Sequence, residues 1–239
     1  MIQVLTRIPI NKSLPCEEDD FKRGSNFFVI VGLIIGLIQF LVFSILSKFL
    51  NREISVIFII IIDIIITGGF HIDGFGDTCD GFFATKGKDK IIDIMKDSRI
   101  GTFACIGIVM ELLIKFIGYT SVLNLYSSYI IILLPMISRA SIILISYIGR
   151  AAKENGSGNL FINTVGIAQV FTNYVIFSLI AFFLIGISKL LVILFTSIII
   201  TILFNKYCNS KINGITGDSL GAINELVVLV LLIILTVKI

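Results

Sequence analysis

Long apolar runs recur along this chain at about 27–47, 54–70, 101–118, 129–148, 169–187, 190–205 and 222–237. Each approaches the roughly 20 residues an α-helix needs to cross a bilayer. The spacing predicts an all-α, polytopic integral membrane protein with about seven transmembrane helices, within a range of six to eight. The fifth and sixth runs meet around Gly186–Lys189, as either a tight helical hairpin or one long bent segment. Of the 239 residues, 56% are hydrophobic and only 15% charged, whereas an ordinary soluble domain has about a quarter charged. Mean hydropathy is +1.05, which excludes a soluble fold.

Charge placement sets an orientation. With the N-terminus in the cytoplasm, every Lys and Arg lies inside except Lys48, Arg52, Lys189 and Lys238, and Lys115 and Arg139 within helices. The excess of positive charge on inner loops supports that topology. It makes 71–100, 149–168 and 206–221 polar cytoplasmic segments. Thr6, Pro9, Asn11 and Pro15 interrupt the opening apolar stretch, so a cleaved leader is not expected. No repeat of 20 to 50 residues and no low-complexity linker divides the chain, which reads as a single membrane domain over 1–239. Cys16, Cys79, Cys105 and Cys208 have neither metal-ligand nor disulfide spacing and read as free thiols. Within the first inner segment, Lys88–Asp97 sets Ile91, Ile92, Ile94 and Met95 against charged residues, as in a short helix lying on the membrane surface.

Chemistry concentrates in Gly68–Gly81, GGFHIDGFGDTCDG. Asp73, Asp77 and Asp80 stand at i, i+4 and i+7 and share one sector of a helix surface. Three carboxylates facing one way call for a cation, and oxygen-only ligation suits Mg²⁺ or Mn²⁺, which recruits substrate phosphates. Gly74, Gly76 and Gly81 leave room for a phosphate ester near the backbone. His71, the only histidine, points to the other side of the same helix and reads as either a base or substrate contact, or a structural hydrogen-bonding group.

Two further clusters fall on the same predicted side. KDSRIG sets Lys96 and Arg99 at the start of the third helix, as a phosphate clamp or as positive-inside anchors. Asn213–Glu225 carries Asp218 and Glu225 on one helix face; Thr216, Asp218 or Ser219 could instead cap the last helix. Within the bilayer, Glu111 and Lys115 are i, i+4 partners and read as a structural pair. Arg139 has no near neighbour in sequence, leaving Asp63 or a substrate phosphate as its partner.

GGFHIDGFGDTCDG, KDSRIG, Ser138-Arg139-Ala140, GNLF at 158–161 and GITGDSLGA at 214–222 together resemble the cobalamin synthase, or adenosylcobinamide-GDP ribazoletransferase, family. Leu5–Pro9 and FVIVGLIIG at 28–36 resemble its N-terminal region, so the likeness runs along nearly the whole chain in order. Ser157 and Ser219 depart from the family's more usual leucine and threonine. The resemblance implies a Mg²⁺-dependent transferase of substituted phosphate groups in the cytoplasmic membrane, its site facing the cytoplasm. It would join adenosylcobinamide-GDP to α-ribazole or its 5′-phosphate and release GMP. On those residues, Asp73, Asp77 and Asp80 are the metal candidates, Lys96, Arg99 and Arg139 the phosphate contacts, and Asp218 and His71 the candidate catalytic groups. The expected partners are the two substrates and the lipid bilayer; homo-oligomers are allowed and nucleic acid is not expected.

Three other readings fit less well. A CDP-alcohol phosphotransferase has its aspartates at longer, regular spacings and an Ala-Arg after the first Asp-Gly. A cation transporter favours repeats and midplane ion sites. A non-catalytic scaffold leaves the aspartate cluster unexplained.

Overall fold

A computed structural model describes residues 1–9, 18–84, 86–153, 157–162 and 164–237; Lys12, Cys16 and Lys238 fall outside them. Helices α1 (Ile2–Leu5) and α2 (Glu18–Gly24) lead through a 3-10 turn into α3 (Phe28–Leu46). Then follow α4 (Arg52–Thr67), α5 (Phe70–Phe83), α6 (Lys88–Met95), α7 (Thr102–Leu125), α8 (Ile130–Ile148), α9 (Ile167–Ile212) and α10 (Gly217–Thr236). By length and apolarity, Asp20–Leu46, α7, α8, α9 and α10 can each cross a membrane, and α4 with α5 forms a sixth, bent candidate. The protein is an all-α polytopic membrane protein.

Helix α9 explains why the fifth and sixth runs are hard to separate. Its 46 residues would extend about 69 Å at 1.5 Å each, twice the hydrocarbon thickness of about 30 Å. Gly186 breaks it, at φ 75 and ψ 173. Only glycine adopts such a conformation cheaply, and the limbs 167–185 and 187–212 are each long enough to cross. At this end of the bundle Lys189 Nζ sits 4.6 Å over the Tyr126 ring.

Helix α8 runs through the middle, buried from Ile130 to Ile143 without interruption, as expected of a helix apolar on every side. Helix α3 approaches it most closely through Gly32 and Gly36. A Cβ on Gly32 would stand 2.4 Å from the Pro135 carbonyl oxygen, and one on Gly36 2.6 Å from that of Ile132. In a bilayer there is no solvent-driven collapse between helices, so close backbone packing through small residues four apart supplies much of the contact. Gly36→Leu is therefore expected to destabilise the α3–α8 pair by about 1–3 kcal/mol. The readout is a reduced monodisperse fraction on size-exclusion chromatography after extraction.

The decisive bend lies between α4 and α5. Asn51 caps the start of α4 through its side chain, accepting from the Ile54 N–H at 3.0 Å. At the other end Gly68 and Gly69 both take left-handed φ values, 69 and 73. Helix α5 consequently leaves at 91° to α4. It crosses the end of the bundle over the first turns of α7 and α10: Gly101 meets Asp80, Gly76 meets Ala104, and Gly74 meets the Asp218 backbone. Lys211 at the end of α9 donates to the Phe82 carbonyl at 2.8 Å.

The segments predicted to share one side do converge there. Ala152 donates to the Ile215 carbonyl at 2.9 Å and Ile215 to that of Arg150 at 2.8 Å, tying the 149–153 stretch to the α9–α10 turn. Arg150 Nε donates to the Asn213 carbonyl at 2.9 Å, and Lys88 to the Asn213 side chain. Helix α6 forms as expected, but its apolar face does not rest on the bilayer. Ile91, Ile92 and Met95 are buried in the protein, and Met95 fills the space beside Gly81. The same amphipathic period serves a protein surface as readily as a membrane one, and here α5 and α9 supply the partner.

Candidate active site

Helix α5 turns Asp73, Gly76 and Asp77 into a cavity of about 240 Å³ whose opposite wall is the α6–α7 connection, with Lys96 and Arg99. The helical spacing of the acids is thus realised, on a helix lying across the bundle end rather than through it. Asp73 is exposed and Asp77 half-buried. Burial first, then the charges of Asp73, Asp218 and Asp80, push the Asp77 carboxyl up to about 7. The share of that rise contributed by the neighbouring carboxylates is repulsion that a cation would relieve.

Asp80 is drawn to a different task. Its Oδ2 accepts from the Gly101 N–H at 2.6 Å and its Oδ1 from the Ala104 N–H at 2.8 Å. It caps α7 from across the fold, satisfying two of the N–H groups that every helix start leaves unpaired. Among the described residues no group of three or more His, Cys, Asp or Glu side chains converges as a metal site. The three-carboxylate set read from the spacing is accordingly divided: Asp73 and Asp77 face the cavity and Asp80 faces a helix terminus. Asp80→Ala is expected to cost about 1–2 kcal/mol through loss of this cap, measurable as a lower Tm.

Asp218 stands behind the pair. A Cβ on Gly74 would lie 2.9 Å from the Asp218 carbonyl oxygen, so α5 and the first turn of α10 touch backbone to backbone. The Asp218 side chain accepts from the Thr216 hydroxyl at 3.3 Å. Thr216 is the N-cap, exchanging hydrogen bonds with Ser219. The capping and site readings of this segment are thus compatible, because the cap falls to Thr216 and leaves Asp218 beside the acids of α5.

Arg99 is 87% exposed and pairs with Asp97 at 2.7 Å. Hydrogen bonds from the Arg99 side chain and backbone hold the Asp97 carboxyl down at about 2. An exposed pair of this kind is weak, so the guanidinium can exchange its partner for an incoming phosphate.

Two expected site residues lie elsewhere. Arg139 is fully buried in the bundle core and shares a small internal cavity with Asp63, Lys115 and Glu225. The cavity holds about 10 Å³, the size of one water, which leaves no room for a substrate phosphate. Its place in α8 puts it in the membrane interior, far along the helix from the polar end. His71 is also buried, and it faces a second cavity of about 340 Å³ on the other side of α5.

The internal charges pair more widely than i, i+4 spacing suggests. Lys115 Nζ lies 2.7 Å from Glu111, 2.5 Å from Glu225 and 3.9 Å from Asp63. Sequence spacing makes Glu225 a companion of Asp218; the structure makes it the closest partner of Lys115. Its seven-residue spacing from Asp218 carried the shared face but could not reveal a partner on α7.

A sequence model of the cobalamin-5-phosphate synthase family matches residues 1–236. The chain is 47% identical over 228 residues to an adenosylcobinamide-GDP ribazoletransferase of Clostridium tetani (strain Massachusetts / E88), covering 95% of this chain and 90% of that protein. It is 43% identical over 239 residues to the protein of the same name from Clostridium kluyveri (strain ATCC 8527 / DSM 555 / NBRC 12016 / NCIMB 10680 / K1), covering 99% and 94%. A third, from Clostridium botulinum (strain Langeland / NCTC 10281 / Type F), is 43% identical over 236 residues, covering 98% and 95%. No solved structure matches the chain. With a family match spanning almost its whole length and relatives aligned end to end, the chain belongs to the cobalamin-5-phosphate synthase family.

Proposed function

We propose that this protein is an adenosylcobinamide-GDP ribazoletransferase, acting at the late step of cobalamin biosynthesis. The observation that carries the reading is one cavity lined by Asp73, Asp77, Lys96 and Arg99 in a chain that matches the family from end to end. In the reaction, a ribose hydroxyl oxygen of α-ribazole, or of its 5′-phosphate, attacks the phosphorus bonded to the cobinamide arm. The new P–O bond forms as the bond to the GMP oxygen breaks, and the hydroxyl loses its proton.

Each residue has a task that its chemistry suits. Lys96 and Arg99 neutralise the diphosphate, Arg99 by releasing Asp97 and presenting its planar fork to phosphate oxygens. Asp218 accepts the proton of the attacking hydroxyl, held in orientation by Thr216. Asp73 and Asp77 are hard oxygen donors at the cavity wall, suited to Mg²⁺, with Mn²⁺ as a substitute. One or two carboxylates plus substrate phosphates are the usual environment of protein-bound Mg²⁺, which fits a divided aspartate set better than a three-carboxylate cage. When bound, the ion withdraws charge from the diphosphate and orients it for in-line displacement.

The positive-inside pattern supports a cytoplasmic location for this end of the bundle, in the cytoplasmic membrane. There, soluble nucleotide-linked substrates reach it directly. Reconstituted protein given adenosylcobinamide-GDP and α-ribazole 5′-phosphate is expected to release GMP only when Mg²⁺ is supplied. Properly inserted protein that forms no product with either ribazole would remove the assignment.

Ion binding should also track pH in the absence of substrate. Asp77 retains its proton up to about pH 7, well above the usual carboxylate range. Below that pH a proton competes with the cation; the metal-free protein loses stability as pH rises from 3.8, the unfolded value, to about 7, and the free carboxylate above that pH repels its neighbours. The increase in Tm on adding Mg²⁺ is therefore expected to be larger at pH 8 than at pH 6. An equal increase at both values would detach Asp77 from the ion.

A further inference from the structure

Across α5 from the acidic cavity lies the apolar cavity of about 340 Å³ that His71 faces, within the usual range of about 300–1,000 Å³ for small-molecule sites. Its walls come from α1, α2, α3, α5, α8, the 157–162 turn and the start of α10. We propose that this cavity holds the aromatic base of the ribazole acceptor, an assignment that rests on the transferase reading above.

The walls favour a flat ring. Phe161 meets Phe21 edge-on at 5.6 Å and Phe28 edge-on at 5.2 Å, and Phe70 meets His71 edge-on at 5.4 Å. Such arrangements complement an inserted aromatic group as well as one another. The corrinoid ring is far too large for the space.

His71 separates a heterocycle from a lipid chain. It is 2% exposed, and neither Nδ1 nor Nε2 has a hydrogen-bond partner among the described residues. A buried polar group left unmet costs about 1–3 kcal/mol, so the site carries an unmet hydrogen-bonding capacity within apolar walls. A base joined to ribose through one ring nitrogen keeps a second, unsubstituted ring nitrogen. That nitrogen accepts from the imidazole N–H, which an acyl chain cannot do. A guanine would bring several more polar atoms than His71 alone can meet.

Position links the two cavities. Gly217 lines the apolar one, and its neighbour Asp218 stands beside Asp73 and Asp77. A Cβ on Gly158 would lie 2.7 Å from the Gly217 Cα, so the 157–162 turn closes directly over the start of α10. A base seated against His71 therefore directs its ribose past Gly217 toward Asp218, the group proposed to take the hydroxyl proton.

Steady-state kinetics in nanodiscs, varying each substrate separately, test this for Phe161→Ala, His71→Ala and His71→Gln. Phe161→Ala and His71→Ala are expected to raise KM for α-ribazole 5′-phosphate about tenfold or more, with KM for adenosylcobinamide-GDP within about twofold. His71→Gln, which keeps a donor, should recover most of the loss. An unchanged ribazole KM, or a rise confined to the adenosylcobinamide-GDP KM, would overturn the proposal. The second outcome would place the guanine or adenosyl group there. If Phe161→Ala does not fold, Leu160→Trp narrows the same cavity from its rim and should raise the same KM. Equilibrium binding of α-ribazole 5′-phosphate to wild type and Leu160→Trp is measured in parallel. If wild type releases no GMP yet binds ribazole more tightly than Leu160→Trp, the transferase reading falls and the base site stands. Equal binding by the two sinks the base site whatever the activity.

Discussion

Asp77→Asn is expected to abolish turnover, lowering kcat/KM by about 10³-fold or more, while the protein inserts normally and melts at a higher temperature than wild type. Both effects have one cause. Burial and, after it, repulsion from Asp73, Asp218 and Asp80 raise the Asp77 carboxyl toward about 7. Removing its charge relieves that repulsion and stabilises the metal-free fold. The same removal takes away a donor for the proposed Mg²⁺, whose stabilisation of transition-state charge is worth several kcal/mol; about 4 kcal/mol corresponds to about 10³-fold in rate. Stability gained as activity is lost is the usual signature of a functional site held under strain. Wild-type activity in the variant would take Asp77 out of the metal set. A lower Tm would mean that the carboxylate stabilises the fold instead.

Lys115→Met is expected to be the most destabilising single change, costing about 3–5 kcal/mol, because it leaves buried carboxylates without their cation. Lys115 approaches Glu111, Glu225 and Asp63, bringing α4, α7 and α10 onto one ammonium group inside the membrane. Adding Glu111→Gln and Glu225→Gln to Lys115→Met should restore much of the lost Tm, since neutral groups of similar volume remove the unpaired charge. The comparison is thermal melting in nanodiscs at fixed lipid composition. If Lys115→Met melts like wild type, the cluster contributes nothing to stability, and the interior must admit enough water to solvate its acids.

How much could be read in advance depended on the range of the interaction. The membrane class, the helix over the aspartates, the amphipathic α6 and the Glu111–Lys115 pair all follow from periodicities within one or two turns. Asp73 and Asp77 were legible for the same reason. Asp80 shares their periodicity, yet the start of α7 arrives beside it and takes both its oxygens. Arg139 illustrates the converse. Its sequence context left open either a phosphate or Asp63, and only the packing of α8 at the centre of the bundle settles it among internal charges.

Hydropathy and periodicity alone establish that the chain is helical, that it lives in a membrane, and which acids face one way on α5. The family motifs gave the chemistry to expect. Tertiary structure alone decided how those acids are shared, and it did so through the left-handed Gly68–Gly69 pair that turns α5 by 91° across the bundle. Helical periodicity fixes which residues share a face, but a hinge of two glycines permits many directions. Contacts with α7, α9 and α10 choose among them, setting one face of α5 on the acidic cavity and the other on the apolar one.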